Sequence, residues 1–237
     1  MPRKERLRRA VLLCCAFMRN LTYCRATFSA APAGPNREFW VTTNGKHAAS
    51  SGHALTRVNE RKAVDHLRPG LALPQGSLSA TDGSEVCLAA LAGCSILLIY
   101  PWTGQPGLPN PPDWDLIPGA HGSTPQLEGF RYHAQEFARA GVRLLALSRQ
   151  TTDYQRELVT RLKLPFPILS DADGHFAAAL ALPAFTTGGE TYLQRLTLVI
   201  DTGRIAARFY PVGDHAGHAS ELVHWLREYG AEIGLAP

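Results

Sequence analysis

Residues 118–126 form the segment of this 237-residue chain best suited to chemistry. Ser123 lies at the predicted start of a helix, where a hydroxyl ordinarily caps the first free backbone N–H groups. His121, two residues earlier, could serve Ser123 as a general base, with Asp113 or Asp115 orienting its ring. The segment lacks the G-x-S-x-G turn of many serine hydrolases, so a Ser123/His121 hydrolase is a remote alternative to the capping role.

The cysteines and the paired histidines give no signature of a metal or disulfide site. Three of the five cysteines fall within the first 24 residues, and no C-x-x-C is present. Cys87 is predicted in an opening hairpin and Cys94 at the start of a central strand, where a free cysteine usually acts as a small hydrophobe. His215 and His218 lack a third ligand, which favours solvated loop residues. We therefore predict no metal and no cofactor.

Charged residues are unevenly distributed along the chain. Residues 1–69 carry 13 of the 24 Lys and Arg but only 4 of the 20 Asp and Glu. The basic start and the short apolar run after it resemble a signal peptide, although Arg19 and Arg25 interrupt the pattern. We predict that residues 1–65 form a basic, disordered extension and that residues 66–237 form one domain. The expected location is the cytoplasm, with export as the alternative, no membrane span and no nucleic-acid partner.

Hydrophobic periodicity predicts the strands and helices that position the segment 118–126. Thr81-Asp82-Gly83-Ser84 is a tight-turn signal between two short strands. Further strands are predicted over residues 95–101, 142–148, 166–169, 195–201 and 204–210, the last two joined by a hairpin turn at 201–204. Apolar residues at helical spacing predict three helices, through Leu127, Phe130, Ala134 and Phe137; Tyr154, Leu158 and Leu162; and Leu222, Val223, Trp225 and Leu226. This order predicts a thioredoxin-like α/β fold with a central mixed sheet flanked by helices.

Several short motifs occur in a fixed order after residue 67. They are Leu73-Pro74, Ile99-Tyr100-Pro101, Ser123-Thr124-Pro125-Gln126, Gly129-Phe130-Arg131, the segment 166–174 (FPILSDADG) and the segment 195–201 (RLTLVID). This set resembles the AhpC/TSA peroxiredoxins, nearest to the bacterioferritin-comigratory (Q-type) subfamily. The resemblance implies antioxidant reduction of a hydroperoxide, a thioredoxin- or glutathione-type reductant, and a monomer or homodimer.

The resemblance also assigns roles to individual positions. Ser123 stands where the family has its peroxidatic Cys, and Arg195 where the family has the Arg beside the reactive sulfur. Glu128 occupies the position of the Q-type resolving Cys, which is absent here. The substrate pocket implied by the resemblance consists of Pro118, Gly119, Ala120, Gly122 and Thr124, with Ala120 replacing the Thr that commonly assists the peroxide.

The loop over residues 102–117 is long and rich in proline, and it resembles the expanded loop of one bacterial branch of the family. Its two tryptophans, Trp102 and Trp114, are expected either to pack the loop onto the domain or to contact a substrate.

The change at position 123 matters because serine and cysteine differ in redox chemistry. A helix N-terminus and a nearby Arg can lower a Cys pKa to about 3.5–7.5, so that the thiolate attacks the O–O bond. A serine hydroxyl keeps its proton at neutral pH and has no accessible oxidised state. Sequence therefore predicts an impaired peroxiredoxin-like protein, with a redox-inactive thioredoxin-fold binding or assembly module as the alternative.

Overall fold

The computed structural model describes residues 62–230, and these form a seven-stranded mixed sheet, a two-stranded hairpin and four helices. The strands are β1 (Leu78–Ala80), β2 (Glu85–Val86), β3 (Cys94–Ile99), β4 (Arg143–Ser148), β5 (Ile168–Ser170), β6 (Ala184–Thr187), β7 (Glu190–Leu193), β8 (Leu196–Asp201) and β9 (Arg204–Phe209). The helices are α1 (Ser123–Arg139), α2 (Thr152–Leu162), α3 (His175–Ala179) and α4 (His218–Tyr229), with short 3-10 turns at Leu88–Ala90 and Trp114–Leu116.

The strand order of the large sheet is β2-β1-β5-β4-β3-β8-β9. β4 pairs in parallel with both β3 and β5, whereas β8 is antiparallel to β3 and β9. This arrangement confirms the predicted thioredoxin-like architecture, and the predicted strands are found within two residues of their expected ends. The β1–β2 turn is formed as predicted, with Gly83 at a φ of 85° and the Ser84 N–H donating to the Asp82 carboxylate at 3.0 Å.

The central strand β3 is buried along its whole length because both faces of the sheet are covered. Ile96 and Leu98 point to the face packed by α1, α2 and α4, while Leu97 and Ile99 point to the opposite face, against Phe176 of α3. Such two-sided burial explains why residues 96–99 of β3 (ILLI) form a continuous apolar run. The sheet is thereby fixed as a rigid base for the loops at its edge.

Three features of the fold depart from, or add to, the sequence expectations. The first is the short helix α3, which was not among the three predicted helices. His218 was expected in a solvated loop, but it is 1% exposed, because it begins α4 and packs between Phe130 and Phe209. The β6–β7 hairpin was not predicted, although its turn at Gly188-Gly189 is a recognisable hairpin signal.

The N-terminal boundary can be described only from residue 62 onward. Val64 and Leu67 are already buried in the core against the sheet. The predicted disordered extension over residues 1–65 lies otherwise outside the described residues.

Candidate functional site

Helix α1 begins where the loop 101–122 reaches the sheet edge. Gly122 precedes the helix with a φ of 98°, a conformation that disfavours any side chain, and Ser123 is the first helical residue. Ser123 was predicted as the cap, but the cap position belongs to Gly122, and no side chain caps the helix. The ring of His215 lies against Gly122 so closely that a Cβ there would be 2.1 Å from its Nδ1. Gly122 therefore allows both the turn and the contact.

Arg195 brings the start of α1 and the start of β8 together. Its Nη2 donates to the Ser123 hydroxyl at 3.1 Å, to the His121 carbonyl at 2.9 Å and to the Gly119 carbonyl at 3.4 Å. Its Nη1 donates to the side-chain oxygen of Gln126, one turn into α1. One guanidinium thus holds the loop, the first helical residue and the first helical turn in one arrangement.

This centre is almost fully buried. Ser123 is 3% exposed, Arg195 4% and Gln126 0%. Burial lowers the pKa of Arg195 to about 10, which still leaves the guanidinium protonated at neutral pH. Burial and the positive charge of Arg195 also lower the pKa of His215, so the neutral imidazole is favoured beside Gly122. The site therefore has one buried positive charge.

The other pocket positions implied by the resemblance surround this centre unevenly. Pro118, Gly119 and His121 are exposed and form an outer rim, whereas Ala120 is 1% exposed and points into the protein. Thr124 and Glu128 are half-buried on the first two turns of α1.

The geometry also bears on the hydrolase alternative. The Nε2 of His121 pairs with the Asp115 carboxylate at 2.7 Å, as that alternative supposed, but both side chains are largely exposed. Within residues 62–230 the imidazole of His121 makes no hydrogen bond to Ser123, whose oxygen accepts from Arg195 instead. Among the described residues, no base makes a hydrogen bond to the Ser123 hydroxyl in this arrangement.

The proline-rich loop is held beside the pocket by aromatic packing. Trp114 is 3% exposed and contacts Trp102, Phe185 and Tyr192, with ring centroids 5.0–5.7 Å apart. The Thr187 hydroxyl donates to the Pro112 carbonyl at 2.5 Å, which links the loop to the β6–β7 hairpin. The two tryptophans thus pack the loop down onto the domain.

Neither described cysteine lies in this centre. Cys94 is buried at the start of β3, and burial, assisted by the nearby Asp201 charge, raises the pKa of its thiol to about 12. Cys87 is half-buried after β2, where its sulfur lies 3.9 Å from the Gln75 amide oxygen. In the described part of the chain, no group of three His, Cys, Asp or Glu side chains could hold a metal ion, and no helix is long and apolar enough to cross a membrane.

Comparison with known proteins agrees with this architecture. The redoxin family model matches residues 68–223, which is well over half of the chain. The chain belongs to the redoxin family. The curated proteins to which it is similar include peroxiredoxins Q and Bcp, in agreement with the resemblance that the motifs gave. It is 24% identical over 172 residues to peroxiredoxin Bcp of Escherichia coli K12, covering 70% of this chain and 99% of that protein.

It is also 27% identical over 142 residues to the chloroplastic peroxiredoxin Q of Oryza sativa subsp. japonica. That match covers 60% of this redoxin and spans 58% of the length of the rice protein.

Solved structures show the same fold. The peroxidoxin BcpB of Mycobacterium tuberculosis is 23% identical with a TM-score of 0.56, over 69% of this chain and 98% of that one. The bacterioferritin comigratory protein of Xanthomonas campestris, studied for alkyl peroxide reduction, is 22% identical with a TM-score of 0.55, over 68% and 99%. Two residues to which the sequence analysis gave no role at this site, Gln126 and His215, complete it in this redoxin. His215 was expected to be a solvated loop residue, but it is half-buried against Gly122.

Proposed function

We propose that this redoxin is a Q-type peroxiredoxin that has lost its hydroperoxide-reducing step because residue 123 is a serine. The residues around position 123 keep the arrangement that this step needs. The observation that carries the proposal is the 3.1 Å bond from Arg195 to the hydroxyl of Ser123. It supports the role that sequence resemblance gives both residues, because a sulfur at that position would lie beside the guanidinium and at the start of α1.

The missing step can be written in full. A thiolate at residue 123 would attack one oxygen of a hydroperoxide, forming an S–O bond as the O–O bond breaks. The other oxygen would leave as an alkoxide, or as hydroxide from hydrogen peroxide, and take up a proton, while the sulfur is oxidised by two electrons to sulfenic acid. The oxygen of a serine hydroxyl cannot undergo this two-electron oxidation. Glu128 offers no second thiol, so a thioredoxin- or glutathione-type reductant would have to return the sulfur to the thiol.

The test is to restore the sulfur. We expect the unmodified chain to consume no alkyl hydroperoxide above background in the presence of dithiothreitol. Ser123→Cys should raise consumption by about 10³-fold, because it returns the nucleophile to an organised site. Ser220→Cys is the matched control, since Ser220 is exposed on α4 and a thiol there has no such surroundings. Loss of peroxide is followed colorimetrically, and sulfenic acid by mass spectrometry.

The outcomes separate the hypotheses. Activity in Ser123→Cys but not in Ser220→Cys supports the proposal. Activity in the unmodified chain would contradict it. Of the two cysteines in the described part of the chain, Cys87 would then be the first to mutate, because Cys94 is buried with a raised pKa.

A second candidate is a redox-inactive binding or assembly module. It is favoured by the loop beside the pocket, which holds Trp114 inward yet presents Leu108 and Leu116 at 55% and 79% exposure. If Ser123→Cys folds but remains inactive, this candidate gains, because the pocket would no longer organise a nucleophile.

A further inference from the structure

A cleft of about 190 Å³ lies beside the proline-rich loop, and its lining does not include Ser123 or Arg195. Its walls come from the segments that follow β3, β4 and β5, together with β7 of the short hairpin. These three strands are parallel, and the carboxyl edge of parallel strands is where open α/β sheets ordinarily bind ligands. The cleft is smaller than the about 300–1,000 Å³ of pockets for drug-sized molecules, so a fitting ligand is much smaller than those molecules.

Arg149 lines this cleft with a guanidinium whose hydrogen bonds are long. Its Nη1 donates to the Thr191 carbonyl at 3.5 Å and its Nη2 to the Ala172 carbonyl at 3.3 Å, whereas such bonds are ordinarily about 2.9–3.0 Å. Its Nε makes no hydrogen bond to any described residue. The side chain is half-buried at the cleft, so a small ligand can reach a guanidinium whose hydrogen-bonding capacity is largely unused.

Two carboxylates lie near Arg149, yet in the described part of the chain neither forms an ion pair with it. Burial raises the pKa of Asp171, with the charge of Arg149 as a smaller opposing effect. The two oxygens of Asp171 already accept from the N–H groups of Phe176 and Ala177 at 2.9 Å. Glu190 lines the same cleft, and its exposed carboxylate has no hydrogen bond or ion pair to the described residues. A cation and a carboxylate thus line one cleft without pairing.

The other walls are aromatic or fixed by hydrogen bonds. Trp102 and Tyr192 are half-buried at the cleft, and both pack on Trp114, with ring centroids 5.4 and 5.0 Å away. The side-chain amide of Gln150 donates to the Thr103 carbonyl at 2.9 Å and accepts from the Thr103 N–H at 3.1 Å. The protein itself therefore holds these walls in place.

We propose that this cleft, the Arg149 cleft, binds a small zwitterion of the α-amino acid class with an apolar side chain. The ligand carboxylate accepts from Arg149, and the ligand ammonium group faces Glu190. A simple carboxylate would bring a negative charge towards Glu190, and a simple amine would bring a positive charge towards Arg149, so one wall disfavours each. Both walls attract a molecule that carries both charges. Trp102 and Tyr192 supply apolar surface for its side chain.

The full chain is titrated with L-leucine and with two probes that each lack one of its charged groups. Isocaproate is leucine without the ammonium group, and isoamylamine is leucine without the carboxylate. Binding is measured by saturation-transfer NMR at constant ionic strength. We expect leucine to bind with a Kd of about 1 mM, about 10-fold more tightly than either probe, because only leucine gives each charged wall a partner.

Two variants assign the charges. Glu190→Gln should weaken leucine binding about 10-fold and leave isocaproate binding unchanged or tighter, since the repelling charge is gone. Arg149→Gln should weaken the binding of leucine and isocaproate, and leave that of isoamylamine unchanged or tighter. Glu228→Gln on α4 and Arg139→Gln on α1 are the matched controls, both at exposed positions, and should bind leucine as the unmodified chain does. If Arg149→Gln does not fold, Glu190→Gln decides alone, because Glu190 is exposed.

Equal affinities for leucine, isocaproate and isoamylamine would overturn the proposal, as would an unchanged leucine affinity in Glu190→Gln. The absence of leucine binding at about 20 mM would also overturn it. Ser123 does not line the Arg149 cleft, so Ser123→Cys should bind leucine as the unmodified chain does. A chain that binds leucine yet fails to become a peroxidase, or the reverse, tells the two proposals apart.

Discussion

At the scale of single residues, the site depends on two sets of contacts between residues that are far apart in the chain. Arg195 joins groups that are 69 to 76 positions away in the chain. Gly122 adopts a positive φ and accepts the ring of His215 against its Cα. Both sets of contacts act on the backbone or the side chain at the start of α1, so the surroundings of residue 123 matter as much as its type.

Gly122→Ala tests the second contact. It should destabilise the protein by about 2–4 kcal/mol, because it adds a clash with His215 to the backbone strain of a positive φ. Gly83→Ala is the matched control, since Gly83 has a φ of 85° and nothing within 4 Å of a new Cβ; it should cost only about 1 kcal/mol. Urea unfolding gives both values.

The double variant Gly122→Ala/His215→Ala should recover the part of the loss that comes from the clash. Equal losses for Gly122→Ala and Gly83→Ala would show that His215 imposes no steric demand.

At the scale of elements, the proline-rich loop owes its position to the β6–β7 hairpin. Trp114 packs between Trp102 and the two hairpin rings Phe185 and Tyr192. Gly188 in the hairpin turn lies against Pro112, where a Cβ would be 2.8 Å from the proline ring. The short hairpin thus serves as the base on which the loop beside the pocket rests.

Trp114→Ala should cost about 3–5 kcal/mol in urea unfolding, because it removes the centre of this aromatic cluster. It should also make the loop over residues 102–117 sensitive to thermolysin. Leu116→Ala, two residues away in the same 3-10 turn and 79% exposed, should stay within about 0.5 kcal/mol. A Trp114→Ala protein with unchanged stability and unchanged digestion would show that the loop is held by other contacts.

At the scale of the whole molecule, the domain begins before the first strand of the sheet. Val64 and Leu67 are buried against the core, and the carbonyl of Leu67 accepts from the Arg208 Nη1 at 2.7 Å. The charge excess of residues 1–69 lies mainly upstream of these residues. The packed domain therefore includes the last few residues of the basic region.

Removal of residues 1–60 should leave the melting temperature within about 2 °C, because the predicted extension adds no core. Removal of residues 1–69 should lower it by about 10 °C or more, since two buried side chains are lost. A large drop on removing residues 1–60 alone would show that the extension contributes to the fold.

Local patterns in the sequence were enough to predict the architecture. Residues 96–99 of β3 are an unbroken apolar run, and α1 repeats Leu127, Phe130 and Phe137 at helical spacing. Asp82-Gly83 marks the turn between β1 and β2. Each of these signals depends on residues close together in the sequence, so it can be recognised without the tertiary structure. The ordered motifs further predicted that Ser123 and Arg195 face one another across the site.

The remaining features depended on groups that only folding brings together. His218 reads as a loop residue by its Gly and Asp neighbours, yet Phe130 and Phe209 bury it. The role of His215 beside Gly122 has no local signal, because the two are 93 positions apart in the printed sequence. The sequence by itself determined that residue 123 carries an oxygen rather than a sulfur. Only the tertiary structure decided that the buried charge of Arg195 meets nothing but neutral acceptors, because burial and charge pairing are properties of the packed molecule.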